Sequence, residues 1–345
     1  MGRYVIRRLL WTILVVLIVT FLTFVIFYTL PPGDPATKFA GKQPTPELIQ
    51  EVKKNLGLDK SAFGLRVWDG ERPWQSQYGI FLERVFTGDR GHCPAGTEGC
   101  DGHFLGLGFS YDSRTAVREE IIHRLPRTLC LAAGAAIIWL VMGVSIGIIS
   151  ALRRRSAADR LAMGFALFGV SAPVFWLGLL SLFIFWNKLG IDAVGTGYVE
   201  FHVDPVGWFT HLLMPWFCLA LLYAAFYARM TRGNLIDVMG EDYIRTARAK
   251  GLSENKVVFK HGLRASLTPI VTMFGLDFAL LIGGAVITET VFNLQGLGNW
   301  AVTSAKSADL PAMTGVVIVA SFFVAMMNLF VDVLYAYLDP RVRYS

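Results

Sequence analysis

Three acids stand inside strongly apolar runs of this sequence: Asp277, Glu289 and Asp332. An ionisable side chain in such a run is costly, and it characteristically pairs, faces a bundle interior or borders an aqueous path. For Asp277 two readings stand open, structural pairing and a place on a substrate path. Glu289 lies near one end of the same run, and Asp332 near the end of the last, where pairing or an internal cap is expected. A second group, His92, Cys93, Cys100 and His103, offers the residue types of a zinc site. Six residues separate its cysteines, against the two to four of the common zinc pattern, so no metal is expected. There is no GxxxxGK[ST] phosphate loop and no HExxH helix, so this chain carries neither signature for nucleotide or protease chemistry. An intramembrane enzyme would need paired groups at one depth, and Asp277 and Asp332 lack the surrounding motifs.

The most informative polar residues lie between two apolar runs, from Glu241 to Pro269. Glu241-Asp242-Tyr243-Ile244-Arg245-Thr246-Ala247-Arg248-Ala249-Lys250-Gly251-Leu252 opens with acids and closes with cations, the order a helix dipole favours. Glu241 and Arg245 are spaced for an i,i+4 pair. Gly251 suits the left-handed residue that ends a helix. Ser253 is placed to cap a second helix whose apolar content is Val257, Val258 and Phe259. Thr246, Ala247 and Ala249 are expected to give the first helix a small outer face. Such a helix can seat in a groove on another protein. The plainer alternative is a solvated loop between membrane spans.

The elements around these residues are set by composition. The chain has 345 residues, 54% hydrophobic and 17% charged, whereas a soluble domain carries about 25% charged residues. An integral membrane protein follows. The formal charge of +6 sits at the ends of apolar runs, as membrane topology demands, so nucleic-acid binding is not expected. Spans are predicted over residues 9–30, 128–152, 161–186, 212–228, 270–292 and 313–338, each near the 20 or so residues a bilayer requires. Arg3, Arg7 and Arg8, the Arg153–Arg160 loop and the basic tail after Asp339 place both termini in the cytoplasm. Residues 31–124 and the loop 187–211 then lie outside. In that compartment Cys93 and Cys100 are predicted to form a disulfide, while Cys130 and Cys218, within apolar runs, are packing residues. Gly143 and Gly147 (a GxxxG pair), Gly164, Gly169 and Gly283-Gly284-Ala285 allow close helix approach, within this bundle or against a second membrane subunit.

Asp242–Leu252, followed by His261, Leu263, Arg264 and Pro269, resembles the EAA-type loop of ATP-binding-cassette importer permeases. More narrowly it is similar to the first membrane subunit of dipeptide, oligopeptide and nickel importers. Pro32-Gly33-Asp34-Pro35, Leu56–Lys60, Gln77-Tyr78, Gly88–Gly91 and Gly169–Trp176 resemble further stretches of that family. Thr268 and Gln295 depart from it, and residues 61–74 and 92–109 look like insertions.

The resemblance implies an all-α integral membrane protein with the type I importer permease fold. Six transmembrane helices are expected, with an extracytoplasmic region between helices 1 and 2. The implied divisions are 1–30, 31–124, a permease core over 125–338 with its coupling loop at 230–268, and a tail 339–345. It implies a non-enzymatic subunit of the cytoplasmic membrane of a bacterium or archaeon, embedded in lipid and binding no cofactor itself. The expected partners are a second permease in a heterodimer, two ATPase subunits that use ATP and Mg, an extracytoplasmic substrate-binding protein, and a peptide substrate. Glu241–Leu252 becomes the coupling helix that docks into an ATPase. Nickel or another small solute is the alternative cargo. A stand-alone channel or secondary transporter would need no ATPase and is the less favoured class.

Overall fold

The protein is seen here as a computed structural model. It describes residues 2–29, 45–47, 49–50, 53, 60, 62–63, 75–88, 106–110, 112–191, 196–282 and 285–338, with side chains from 6 to 27 and up to 331. Cys93, Cys100, His92 and His103 lie outside the described residues, as do Gly283, Gly284 and the Asp332 side chain.

Among the described residues the chain is helical, with one isolated antiparallel bridge between Phe109 and Ala116. The helices are α1 (Gly2–Phe24), α2 (Gln77–Thr87), α3 (Val117–Leu152), α4 (Ala157–Ser171) and α5 (Val174–Ser181), which runs on in π form over Leu182–Lys188. Then come α6 (Pro205–Met239), α7 (Asp242–Ala249), α8 (Glu254–Ser266), α9 (Thr268–Ile282), α10 (Val286–Val291), α11 (Leu297–Ser307) and α12 (Leu310–Leu338).

Among the described residues, four segments are long and apolar enough to cross a membrane: Ile6–Phe27, Val117–Leu152, Pro205–Met239 and Leu310–Val331. Two bent pairs, α4 with α5 and α8 with α9, bring the number to six when each is counted as one span. The third span, predicted over 161–186, is bent by 99° where α4 gives way to α5. Pro173 is the cause: it donates no N–H and excludes its predecessor from helical geometry, and Ala172 is extended with ψ at 122°. The second span, predicted from 128, begins earlier as part of one 36-residue helix, Val117–Leu152, that runs through Pro126. Helix α11, within what reads as an outer loop, is a further addition.

The chain divides into two compact units, one of residues 127–299 with 326 onward, the other of 6–126 with 300–325. In the first, α6 is the central rod. Ala220, Ala224, Ala225 and Ala228 are fully buried on it. A Cβ added at Gly143 would lie 2.9 Å from the Ala224 carbonyl oxygen, and one at Gly147 would lie 2.7 Å from that of Ala228. Gly169 of α4 meets Ala225 and Leu221 as closely. The Gly143–Gly147 pair and Gly169 therefore pack helices of this chain onto α6, where dispersion rather than water exclusion holds helices together.

In the second unit Phe24 is buried among Phe63, Tyr78 and Phe81, with ring centroids 5.3 to 5.8 Å away. Ser76 caps α2 by accepting from the Gly79 N–H at 3.1 Å. Asp309 accepts from the Ser110 hydroxyl and from the Ala312 N–H, closing the start of α12.

Candidate functional site

Helix α7 is eight residues long, too short to hold in water by propensity alone, since isolated helices below about 12–15 residues are marginal. Packing holds it. Ile244 is fully buried and Ala247 nearly so, against the fully buried Val257 of α8 and Met239 at the end of α6. Ala247 thus faces inward, contrary to the small outer face expected of it. A residue three positions after Ile244 lies on the same side of a helix, and that side is the one the chain covers. The outward surface is made by Tyr243, Arg245, Thr246, Ala249 and Lys250. Tyr243 is 45% exposed, and partial burial together with the Glu241 carboxylate pushes its phenol above the usual range.

The ends of α7 follow the sequence in part. Asp242 opens the helix and Arg248 closes it. Arg245 pairs with Asp242 at 3.2 Å rather than with Glu241, which occupies the N-cap without a side-chain cap bond. Gly251 takes φ of +75°, the left-handed exit that glycine permits. Beyond it, Arg248 donates to both carboxylate oxygens of Glu254 at 3.1 and 2.6 Å, bridging the turn. Ser253 makes no side-chain cap, contrary to expectation; its carbonyl accepts from Val257 at 3.0 Å instead. Val258 is buried as expected, while Phe259 is exposed. The Val257–Gly262 stretch is π-helical and presses against α6, where a Cβ on Gly262 would fall 2.9 Å from the Met239 Sδ.

A polar cluster that the sequence reading missed sits farther along α6. Arg232 donates through Nε and Nη2 to the two oxygens of Asp159 at 2.7 and 2.9 Å. Ser150 donates to the same carboxylate at 2.5 Å, and the Arg155 N–H at 2.8 Å. The turn between α3 and α4 is thereby tied to α6. Its local signal was present in Ser156 and Asp159, spaced three apart at a helix start, where Ser156 accepts from the Asp159 N–H. Arg232 gives no such signal, because its partner is 73 residues away.

The intramembrane acids separate into two kinds. Glu289 of α10 is fully buried; the Thr128 hydroxyl donates to Oε1 at 2.7 Å and the Asn299 N–H to Oε2 at 2.8 Å. Thr128 in turn accepts from the Leu297 N–H at 2.9 Å. Asp277 of α9 is half-buried and accepts from the Tyr227 hydroxyl at 2.8 Å. Asp277 and Glu289 do not meet the α7 segment. The string Gly143-Val144-Ser145-Ile146-Gly147 spells G-x-S-x-G but lies in the middle of α3, without the strand-to-helix turn that a nucleophile elbow requires.

Comparison with known proteins places the chain in a family. A relative from Brucella abortus (strain 2308) is 38% identical over 345 residues, with both chains covered in full. The dipeptide transport system permease protein DppB of Alkalihalophilus pseudofirmus is 36% identical over 364 residues, and the glutathione transport system permease protein GsiC of Escherichia coli (strain K12) 37% over 346, again in full on both sides. Among solved structures, an inward-facing form of the MetNI methionine ABC transporter matches with a TM-score of 0.52 at 17% identity, over 64% of this chain and 97% of that one. That match shows the fold. Residues 1–132 match the N-terminal profile of binding-protein-dependent transport system membrane components. Residues 143–344 match the profile of the inner membrane component itself, a non-catalytic, cofactor-free permease whose ATPase is a separate subunit. With two matched stretches and full-length relatives, the chain belongs to the binding-protein-dependent transport system inner membrane component family.

Proposed function

We propose that this chain pairs with a second permease subunit to form the membrane path of an importer for dipeptides and oligopeptides, and that Glu241–Leu252 couples the path to cytoplasmic ATPases. The observation that carries the coupling role is the two-sidedness of α7. Its inner face is anchored by Ile244 and Ala247 to Met239 and Val257, while its outer face leaves Tyr243, Arg245, Thr246, Ala249 and Lys250 uncovered. A helix held to its own chain on one side and open on the other can transmit a push. ATP binding closes the ATPases, they carry α7 with them, and α6 moves because Met239 packs against α7. Both termini are cytoplasmic in this reading, and an extracytoplasmic binding protein delivers the cargo. The relatives named for dipeptide and glutathione transport favour peptides over nickel.

The test reconstitutes the complete transporter in proteoliposomes, with loaded binding protein on one side and ATP on the other. Thr246→Trp and Ala249→Trp place bulk on the open face without touching Ile244 or Val257. Both should abolish binding-protein-stimulated ATP hydrolysis and weaken retention of the ATPases in a pull-down, whereas Asn255→Ala, beyond the helix, should be mild. Wild-type stimulation in both tryptophan variants would reduce α7 to a solvated connection. Stimulation with ATP supplied only on the binding-protein side would reverse the orientation.

A further inference from the structure

The carboxylate of Asp277 accepts a single hydrogen bond among the described residues. Glu289, on the same stretch of chain, is enclosed by donors from Thr128 and Asn299. Asp277 receives one hydrogen bond, from Tyr227, and no described cation pairs with it. The basic residues nearest along α6 are engaged elsewhere: Arg232 with Asp159, and Arg229 over the Phe226 ring at 5.9 Å. Helix α9 carries no lysine or arginine, and neither does α12. An ionisable side chain within an apolar span characteristically pairs or borders an aqueous path, and Asp277 has no cation of its own chain beside it among the described residues.

Its surroundings name the kind of cation. Trp139 stacks on Tyr223 at 4.7 Å and 27°, lies 6.2 Å from Tyr227 and 6.1 Å from Phe274, and Phe274 stacks on Phe278 at 5.6 Å. Trp139 and Tyr227 are fully buried, while Tyr223, Phe274, Phe278 and Asp277 are only partly covered. A carboxylate beside several aromatic faces is the chemistry that holds an organic ammonium, by charge on one side and ring quadrupoles on the others. A hard metal ion would ask for several oxygens instead.

We propose that Asp277 and Tyr227, with the rings of Trp139, Tyr223, Phe274 and Phe278, form a transient binding step for the amino-terminal ammonium of a peptide crossing the membrane. This rests on the peptide-import reading above. Tyr227 orients the carboxylate, and its donated hydrogen bond spreads the charge, so the cargo is held weakly enough to leave. A transport path needs both entry and release.

Two measurements test it. In the first, the complete reconstituted transporter takes up dialanine, read as peptides accumulated per ATP hydrolysed. Asp277→Asn should lower that ratio at least tenfold, and Asp277→Glu should recover more than a third of it. In the second, Tyr223→Cys is introduced with Asp277 intact, and its modification by a methanethiosulfonate is followed by peptide mass mapping, which separates it from Cys130 and Cys218. Millimolar dialanine, without binding protein, should slow modification at least threefold, and N-propionylalanine, which lacks only the amino group, should not. Equal protection by the two probes, or by neither, would overturn the proposal; the second result points to a cation supplied by a partner subunit. A wild-type complex that takes up no dialanine sinks the peptide cargo and this step together. Uptake with an unchanged ratio in Asp277→Asn sinks this step alone.

Discussion

Ile244→Ala tests the anchoring of α7 by removing three carbons from a fully buried side chain. At about 0.8 kcal/mol per buried methylene the transfer loss is about 2.4 kcal/mol. A cavity contribution brings the total to about 2–4 kcal/mol, within the span of about 2–5 kcal/mol for such truncations. Little else opposes undocking. The cluster holds only Ile244, Ala247 and Val257 with Met239 beside them, and the ion pairs at the helix ends are exposed, where such pairs contribute little. The loss should therefore appear as local opening, with the membrane bundle left folded. Val257→Cys supplies the reporter, because Val257 is fully buried beneath α7. Its rate of maleimide labelling should rise roughly 30- to 900-fold in the Ile244→Ala background, the ratio that corresponds to about 2–4 kcal/mol. Binding-protein-stimulated ATP hydrolysis should fall with it. A labelling rate within about threefold of the Ile244 parent would mean that α7 is held by something other than this contact.

At Gly251 a Cβ would meet nothing within 4 Å, so any cost of substitution comes from the φ of +75° alone. Gly251→Ala should cost about 1 kcal/mol and Gly251→Val more, with Gly251→Asn the mildest, and the same labelling assay ranks them; asparagine worse than alanine would refute the backbone account. At Glu289, Glu289→Ala strands the Thr128 hydroxyl and the Asn299 N–H and should cost about 2–6 kcal/mol, at about 1–3 per buried group. Glu289→Gln keeps an oxygen for Asn299 and should stay within about 1 kcal/mol, because Thr128 can accept from the new amide; thermal unfolding in detergent distinguishes the two, and equal midpoints would show the cluster to be dispensable.

The parts of this structure that were legible in the sequence are those set by neighbours along the chain. Apolar run length marked where spans lie, and Gly251 marked the end of α7, because those signals are complete within a few residues. What was not legible depends on distant partners. The inward turn of Ala247 requires Met239 and Val257, which bracket it in sequence but announce nothing about which face they cover. Glu289 reads as an acid near a span end with no named partner until Thr128, 161 residues earlier, closes over it. The Gly143–Gly147 pair could have served a second subunit as well as this chain, and only the position of the Ala224 and Ala228 carbonyls decides between them. Pro173 was visible, but the size of the bend was not, since a proline fixes where a helix stops and leaves its new direction to packing.

Helix α6 joins these separate features. Met239 at one end touches the cluster that holds α7, Arg232 two turns earlier grips Asp159, and Tyr227 holds Asp277. From Met239 to Tyr227 is about 18 Å at 1.5 Å per residue along an uninterrupted helix. The 35-residue helix has its one internal proline at Pro215, beyond Tyr227 as counted from Met239, so no built-in hinge separates the α7 contact from the Asp277 contact. A displacement entering at Met239 therefore reaches Tyr227 undiminished unless Asp159 restrains it, and the α3–α4 turn must then move as well. On the proposed coupling and ammonium readings, the α7 anchor and Asp277 both contact one helix, α6, and should be separable by mutation. Ile244→Ala should lower uptake and ATP hydrolysis together, because it cuts the rod from its drive, whereas Asp277→Asn should lower uptake per ATP, because the rod still moves and the cargo is no longer held.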